Sequence, residues 1–221
     1  MTANKNAILF DLDGITIDTE PLYTRAEIRL FGEYGVKIPK KDLHLFRGCS
    51  EDKFFDLSMK RYGITESRDI FINRGRQYVI DEFNKNIDFV PGFTHLHHII
   101  SKQYIIGLVT ASPRSSLDWV IKKMNLQNYF KHIISGEEAK KNKPFPEPYI
   151  AMMEKICVLP GNTIIIEDSL VGIHSALASG AHVIAKSGSV PRKELNIAHY
   201  VVDHLDQITI KLIKEILLEV I

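Results

Sequence analysis

Three places along the 221-residue chain gather side chains that can do chemistry. Asp11 and Asp13 flank Leu12 and run into Gly14, Thr110 and Ser112 flank Ala111, and Glu167 is followed directly by Asp168. Carboxylates crowded into one site repel each other unless a cation lies among them. A hard divalent ion meets that need, and Mg²⁺ commonly combines one or two carboxylates with phosphate oxygens and water. Lys143, in the string Asn142-Lys143-Pro144-Phe145-Pro146, adds an ammonium from a loop stiffened by prolines. Hydroxyl, ammonium, metal and carboxylates together describe a phosphoryl-transfer site. Each residue has a plainer reading on its own: a solvated strand-end carboxylate, a helix-capping Thr or Ser, one more surface lysine in the run 140–143. The combination is what carries the chemistry.

Such distant residues meet only if the elements before them bring them together. Each polar cluster follows a short apolar run: Ala7-Ile8-Leu9-Phe10, Ile105-Ile106-Gly107-Leu108-Val109 and Thr163-Ile164-Ile165-Ile166. Continuous hydrophobicity suits strands covered on both faces, as in a parallel sheet. Ligands of open parallel sheets bind beyond the carboxyl ends of the strands, where these clusters lie. Helix-spaced apolar residues fill the intervals 115–126, with Ser115 as N-cap, 147–156, and 171–178, the last stopped by Gly180. Weaker strands are expected at 132–135, 181–185 and 199–202. Alternating strands and helices imply an α/β doubly wound core.

Residues 20–86 carry helical patterns only, far longer than an ordinary strand-to-helix connection. This stretch is expected to be a separate helical unit inserted into the core, with 88–92 as the return linker and the two crossings as a hinge. The division is therefore 1–17 with 91–221 for the core and 18–90 for the insertion. Lys plus Arg is 28 and Asp plus Glu 27, a formal charge of +1 that argues against nucleic acid or an anionic membrane as partner. No apolar run is long enough to span a bilayer or form a signal-peptide core. Cys49 and Cys157 have no paired spacing, which points to a reducing, cytoplasmic setting without disulfides or zinc. His95, His97 and His98 do not share one helical face and are expected to have a surface or packing role rather than to bind metal. Trp119 and Tyr129 are likewise expected to pack.

The string Asp11-Leu12-Asp13-Gly14-Ile15, continued by Asp18-Thr19-Glu20-Pro21-Leu22-Tyr23, resembles the first motif of the haloacid dehalogenase (HAD) superfamily. Thr110 after an apolar strand resembles the second motif, Lys143-Pro144 the third, and Glu167-Asp168-Ser169 with Gly172 the fourth. The order is right and the match spans nearly the whole chain. The helical insertion resembles the cap domain of the β-phosphoglucomutase-like branch, so the expected fold is a HAD-like Rossmannoid core with an inserted α-helical cap.

The resemblance implies a Mg²⁺-dependent phosphatase acting on a small phosphomonoester through a phosphoaspartate. In that reading Asp11 is the nucleophile, Asp13 the general acid and base, and Lys143 the charge that offsets both Asp11 and the phosphate. Gly14, Thr110, Ala111 and Lys143 hold the phosphate, and Asp11, Asp13, Asp168 and Glu167 hold the metal, Glu167 directly or through water. Thr19, Tyr23, Arg47, Arg74 and Ser112 are candidates for substrate contact. The partner is a small phosphorylated metabolite, and the protein is a cytoplasmic monomer. The alternative is a β-phosphoglucomutase-type phosphosugar mutase. Tyr23 stands against it where such mutases carry histidine, as does Glu51 where a basic residue is expected. A haloalkanoate dehalogenase has no use for the metal carboxylates, and a receiver-type phosphoacceptor has none for the insertion or the second Asp.

Overall fold

The computed structural model describes residues 5–39, 42, 51–85 and 87–218. The chain divides into two compact units, Asp18–Asp88 and the segments on either side of it.

The flanking segments form the α/β unit. Its strands are β1 (Ala7–Phe10), β2 (Ile105–Val109), β3 (His132–Ile134), β4 (Thr163–Glu167), β5 (His182–Lys186) and β6 (Tyr200–Val202). They form one sheet in the order β3-β2-β1-β4-β5-β6, every pair parallel. From β1 the chain builds outward through β2 to β3, then returns to lay β4 on β1's other side. The topological switch point, where ligands of such sheets bind, is therefore between β1 and β4. Phe10 stands level with both Leu108 and Ile166, so the residues after these three strands leave the sheet almost together.

Both faces of the sheet are covered. Ala7, Leu9, Val109, Ile165, Val183 and Ala185 pack against Tyr149, Met152 and Ile156 of α6 (Glu147–Ile156) and Ile173 and Ala176 of α7 (Leu170–Ala178). On the other face the Phe10 ring meets Phe93 and Phe130 edge-on, with centroids 5.6 and 6.0 Å away. Phe93 opens α4 (Phe93–Ile100), and α8 (Ile210–Leu218) packs against β4. Each fully buried Ile, Leu or Phe contributes roughly 1.5–3 kcal/mol, so the central strands are the most strongly held part of this unit. His97 packs here as expected, donating from Nε2 to the Tyr129 carbonyl at 2.8 Å.

One expected boundary is corrected. Helix α5 (Arg114–Met124) starts before Ser115, with extended Pro113 in the N-cap place. The Arg114 N–H donates instead to the Glu137 carboxylate at 3.2 Å, so a distant side chain does the work assigned to Ser115. Left-handed Asn125 ends α5, and Leu126 lies in the short helical turn that follows.

The other unit holds α1 (Glu20–Glu33), α2 (Glu51–Tyr62) and α3 (Arg68–Lys85). Phe31 centres its core, with the rings of Tyr62, Phe71 and Phe54 at 5.1, 5.7 and 6.3 Å. Ion pairs Arg25–Glu82 (2.7 Å) and Arg29–Asp81 (2.8 Å) tie α1 to α3. Ile28, Leu57 and Ile80, part of the apolar pattern of this stretch, are about half exposed. The chain leaves for this unit and returns from it side by side. Asp18 N donates to Asp88 O at 2.9 Å, Val90 N donates to Thr16 O at 3.1 Å, and Ile17 pairs antiparallel with Phe89. Among the described residues no helix is long and apolar enough to cross a membrane.

Candidate active site

The sheet register assembles the site before any side chain is considered. Asp11 N continues the ladder by donating to Ile166 O at 3.1 Å. By the two-residue period of a strand, Asp11 then lies on the same face as Ala7 and Leu9, and Glu167 on that of Ile165. Both carboxylates consequently project toward α6 and α7.

A tight loop carries the chain away from Asp11. Thr16 N and Ile17 N both donate to Leu12 O at 2.9 Å, Gly14 N to Ile17 O at 2.8 Å, and the Thr16 hydroxyl to Asp11 O at 2.6 Å. Gly14 takes φ +75°, and a Cβ there would lie 1.9 Å from Asp168 Oδ2. The backbone thus approaches Asp168 as no other residue type would allow.

The Lys143 side chain is buried and fully engaged. Its Nζ donates to Asp11 Oδ1 at 2.6 Å, Glu167 Oε1 at 2.7 Å and Val109 O at 3.2 Å, one partner for each ammonium proton. Asn142 steadies the loop by donating to Ala111 O at 3.0 Å and accepting from Lys143 N at 2.8 Å. Glu167, wholly buried, accepts on Oε1 from Lys143 and from the Tyr149 hydroxyl at 2.8 Å. Its Oε2 accepts from Asp168 N (3.1 Å), Ser169 N (3.3 Å) and Ser169 Oγ (3.1 Å). Ser169 also caps α7, its Oγ accepting from Gly172 N at 3.1 Å. Asp168 Oδ2 accepts from the Ser189 hydroxyl. The Ser112 hydroxyl donates to Asp13 Oδ2 at 3.4 Å, while Ser112 N donates to Thr110 Oγ1 at 3.0 Å.

The electrostatics follow from this crowding. Burial first, then Glu167, Asp168 and Asp13, push the Asp11 carboxyl well above the usual carboxylate range, although Lys143 pulls it back. Burial and Glu167 push Asp168 up to about 7 against the opposing pull of Ser189 and Lys186. Burial would lower the Lys143 ammonium, but Asp11, Glu167 and Tyr149 hold it well above its ordinary value. Oxygens of Asp11, Glu167 and Asp168 lie within 4.8 Å of one another, and Lys143 is the ammonium among them. Asp11 Oδ2 and Asp168 Oδ1 accept no hydrogen bond among the described residues. Excess negative charge, an all-oxygen donor set and uncommitted lone pairs suit a hard divalent cation such as Mg²⁺.

The structure thus brings Asp11, Gly14, Lys143, Glu167 and Asp168 together, with Asp13, Thr110 and Ser112 joined beside them by hydrogen bonds. Thr19, Tyr23 and Arg74 belong to the helical unit. Thr19 is buried at the start of α1, the Tyr23 ring lies 5.6 Å from that of Phe83, and Arg74 donates to the Tyr34 hydroxyl at 2.7 Å and pairs with Glu33 at 3.2 Å. Arg47 and Cys49 lie outside the described residues. Sequence reasoning missed Thr16, Asn142, Tyr149, Ser169 as a donor to Glu167, and Ser189. Tyr149 looked like part of an apolar stripe; its place six residues after Lys143 in a Pro-bounded segment was the available signal.

Residues 8–186 match the family model of haloacid dehalogenase-like hydrolases. A phosphorylated carbohydrates phosphatase of Thermotoga maritima is 31% identical over 176 residues, 79% of this chain and 81% of that protein. Hexitol phosphatase B of Escherichia coli is 30% identical over 176 residues, 78% of this chain and 79% of that one. The crystal structure of β-phosphoglucomutase from Clostridium difficile has a TM-score of 0.76 at 26% identity, covering 98% of both chains. The matched span contains each carboxylate of the cluster and Lys143, on a sheet whose switch point is where they meet. The chain belongs to the haloacid dehalogenase-like hydrolase family.

Proposed function

We propose that the protein is a Mg²⁺-dependent phosphatase hydrolysing a small phosphomonoester (a sugar, polyol or nucleoside phosphate) through an aspartyl-phosphate. The observation that carries this reading is Asp11, buried at the switch point with one carboxylate oxygen on Lys143 and the other uncommitted. The relatives named for phosphorylated carbohydrates and hexitols support the substrate class.

The free oxygen of Asp11 attacks phosphorus, the ester P–O bond breaks, and Asp13 gives its proton to the departing alcohol. Asp13 then takes a proton from water, which attacks the acyl phosphate, releasing inorganic phosphate and restoring Asp11. Lys143 neutralises charge on Asp11 and the phosphate oxygens, the electrostatic term that dominates such reactions. The Thr110 hydroxyl, whose oxygen already accepts from Ser112 N, keeps its proton to donate to phosphate, beside the Ala111 N–H; the Gly14 N–H is already given to Ile17 O, so Gly14 serves the site through its turn. Asp11, Asp168 and the Asp13 carbonyl would hold Mg²⁺, with Glu167 acting from outside its coordination shell. When bound, the ion neutralises charge and orients the phosphate. Ser112 beside Asp13, with Thr19, Tyr23 and Arg47, remains in the substrate set; the Arg74 bonds to Glu33 and Tyr34 suit an internal role.

Purified protein should release phosphate from p-nitrophenyl phosphate with Mg²⁺ and lose this activity to a chelator. Asp11→Asn should lower turnover by at least about 10³-fold, and persisting turnover removes Asp11 as nucleophile. A panel of sugar, polyol and nucleoside phosphates identifies the substrate. A mutase would instead interconvert two hexose phosphates with little phosphate release.

A further inference from the structure

Tyr149 has no part in the steps above, yet it is the largest wholly buried side chain among the described residues and its hydroxyl lies in the acid cluster. It shares Glu167 Oε1 with Lys143, and its ring centroid is 4.9 Å from Lys143 Nζ. Glu167 meets five protein donors, one more than the roughly four lone-pair sites of a carboxylate. A carboxylate so occupied is a strut. One oxygen is fixed to the backbone turn 167–169, and the other is divided between a phenol and an ammonium.

We infer that Tyr149 is a positioning residue, acting through Glu167 to fix the Lys143 ammonium beside Asp11. The phenol limits where Glu167 Oε1 can sit, and that oxygen with Val109 O and Asp11 Oδ1 defines the three corners on which the ammonium rests. Removing the hydroxyl lets Oε1 shift toward the lysine and draws Nζ away from Asp11. Charge and core volume stay unchanged, so the effect belongs to placement. The consequence for turnover rests on the phosphatase reading; the consequence for the ammonium does not.

The test uses the whole protein and Tyr149→Phe, which keeps the ring. In protein labelled with ¹⁵N-lysine, the Lys143 Nζ–H signal should be protected from water exchange, and it is assigned by its loss in Lys143→Arg. In Y149F that signal should shift or broaden. With p-nitrophenyl phosphate, kcat should fall about tenfold while KM and the affinity for Mn²⁺ alone stay within about twofold. An unchanged ammonium signal overturns the inference, as does unchanged kcat with only a lower melting temperature, the mark of a merely structural hydroxyl. A Mn²⁺ affinity weakened more than about tenfold also overturns it, since Tyr149 would then act on the cation set. Wild-type protein that releases no phosphate sinks the phosphatase reading alone, because the ammonium signal still decides the role of Tyr149.

Discussion

Asp168 has its carboxyl pushed up to about 7 by burial and by Glu167, so on the proposed reading it would exchange a proton for a cation in the neutral range. Above about pH 7 it is ionised and available as a ligand; below, the proton competes. Apparent Mn²⁺ affinity should therefore fall by up to about tenfold per pH unit below 7. Free Mn²⁺ measured by electron paramagnetic resonance across that range checks this, and Asp168→Asn should weaken binding and leave only the part of the pH dependence that the raised Asp11 carboxyl carries. Gly14→Ala should abolish Mn²⁺ binding and activity together, since its Cβ would fall 1.9 Å from Asp168 Oδ2 at a φ of +75°. The motif residues after β1, β2 and β4 were legible because each group closes an apolar run, and strand geometry leaves such residues one place to go; Lys143 was legible only by its Pro-flanked loop. Ser189 and Tyr149 were not. Their bonds to Asp168 and Glu167 span 21 and 18 residues and depend on how loop and helix pack, which no local pattern records.

At the scale of elements, the helical unit offers two tests of packing against propensity. Gly75 lies inside α3, where Ala would normally gain roughly 1 kcal/mol. A Cβ there would stand 2.8 Å from the Phe55 ring and 3.2 Å from Leu30 Cδ2, both buried. Overpacking costs about 1–3 kcal/mol, so Gly75→Ala should destabilise in urea despite the better helix former. Glu27, on α1, has its carboxyl raised to about 7 by burial. The folded state then holds its proton more tightly than the unfolded chain, so stability falls as pH rises from about 4.5 to about 7 and stays reduced above. Glu27→Gln should stabilise by about 1–3 kcal/mol near pH 8 and make no difference below the unfolded value, as paired denaturation curves will show. Elements were legible wherever hydrophobic period alone defines them. The start of α5 was misread at Ser115 because Glu137, far along the chain, supplies the capping acceptor.

For the whole molecule, the carboxylate cluster, Lys143 and the Thr110 and Ser112 hydroxyls all come from the α/β unit. Replacing Asp18–Asp88 by a short Gly-rich linker should leave a cooperatively melting protein that still binds Mn²⁺, because Ile17 and Phe89 already pair. Loss of cooperative unfolding in that variant would show that the sheet needs the helices for its own stability. The extra helical unit was visible in the sequence as a helical stretch too long for a connection, but not the pairing of its ends, which depends on two segments remote in sequence. That pairing makes the junction a seam. Doubling or halving what is grafted there changes the entropy of closing the chain by only about 0.6 kcal/mol, so the acidic strand ends can persist while the graft changes in length and sequence.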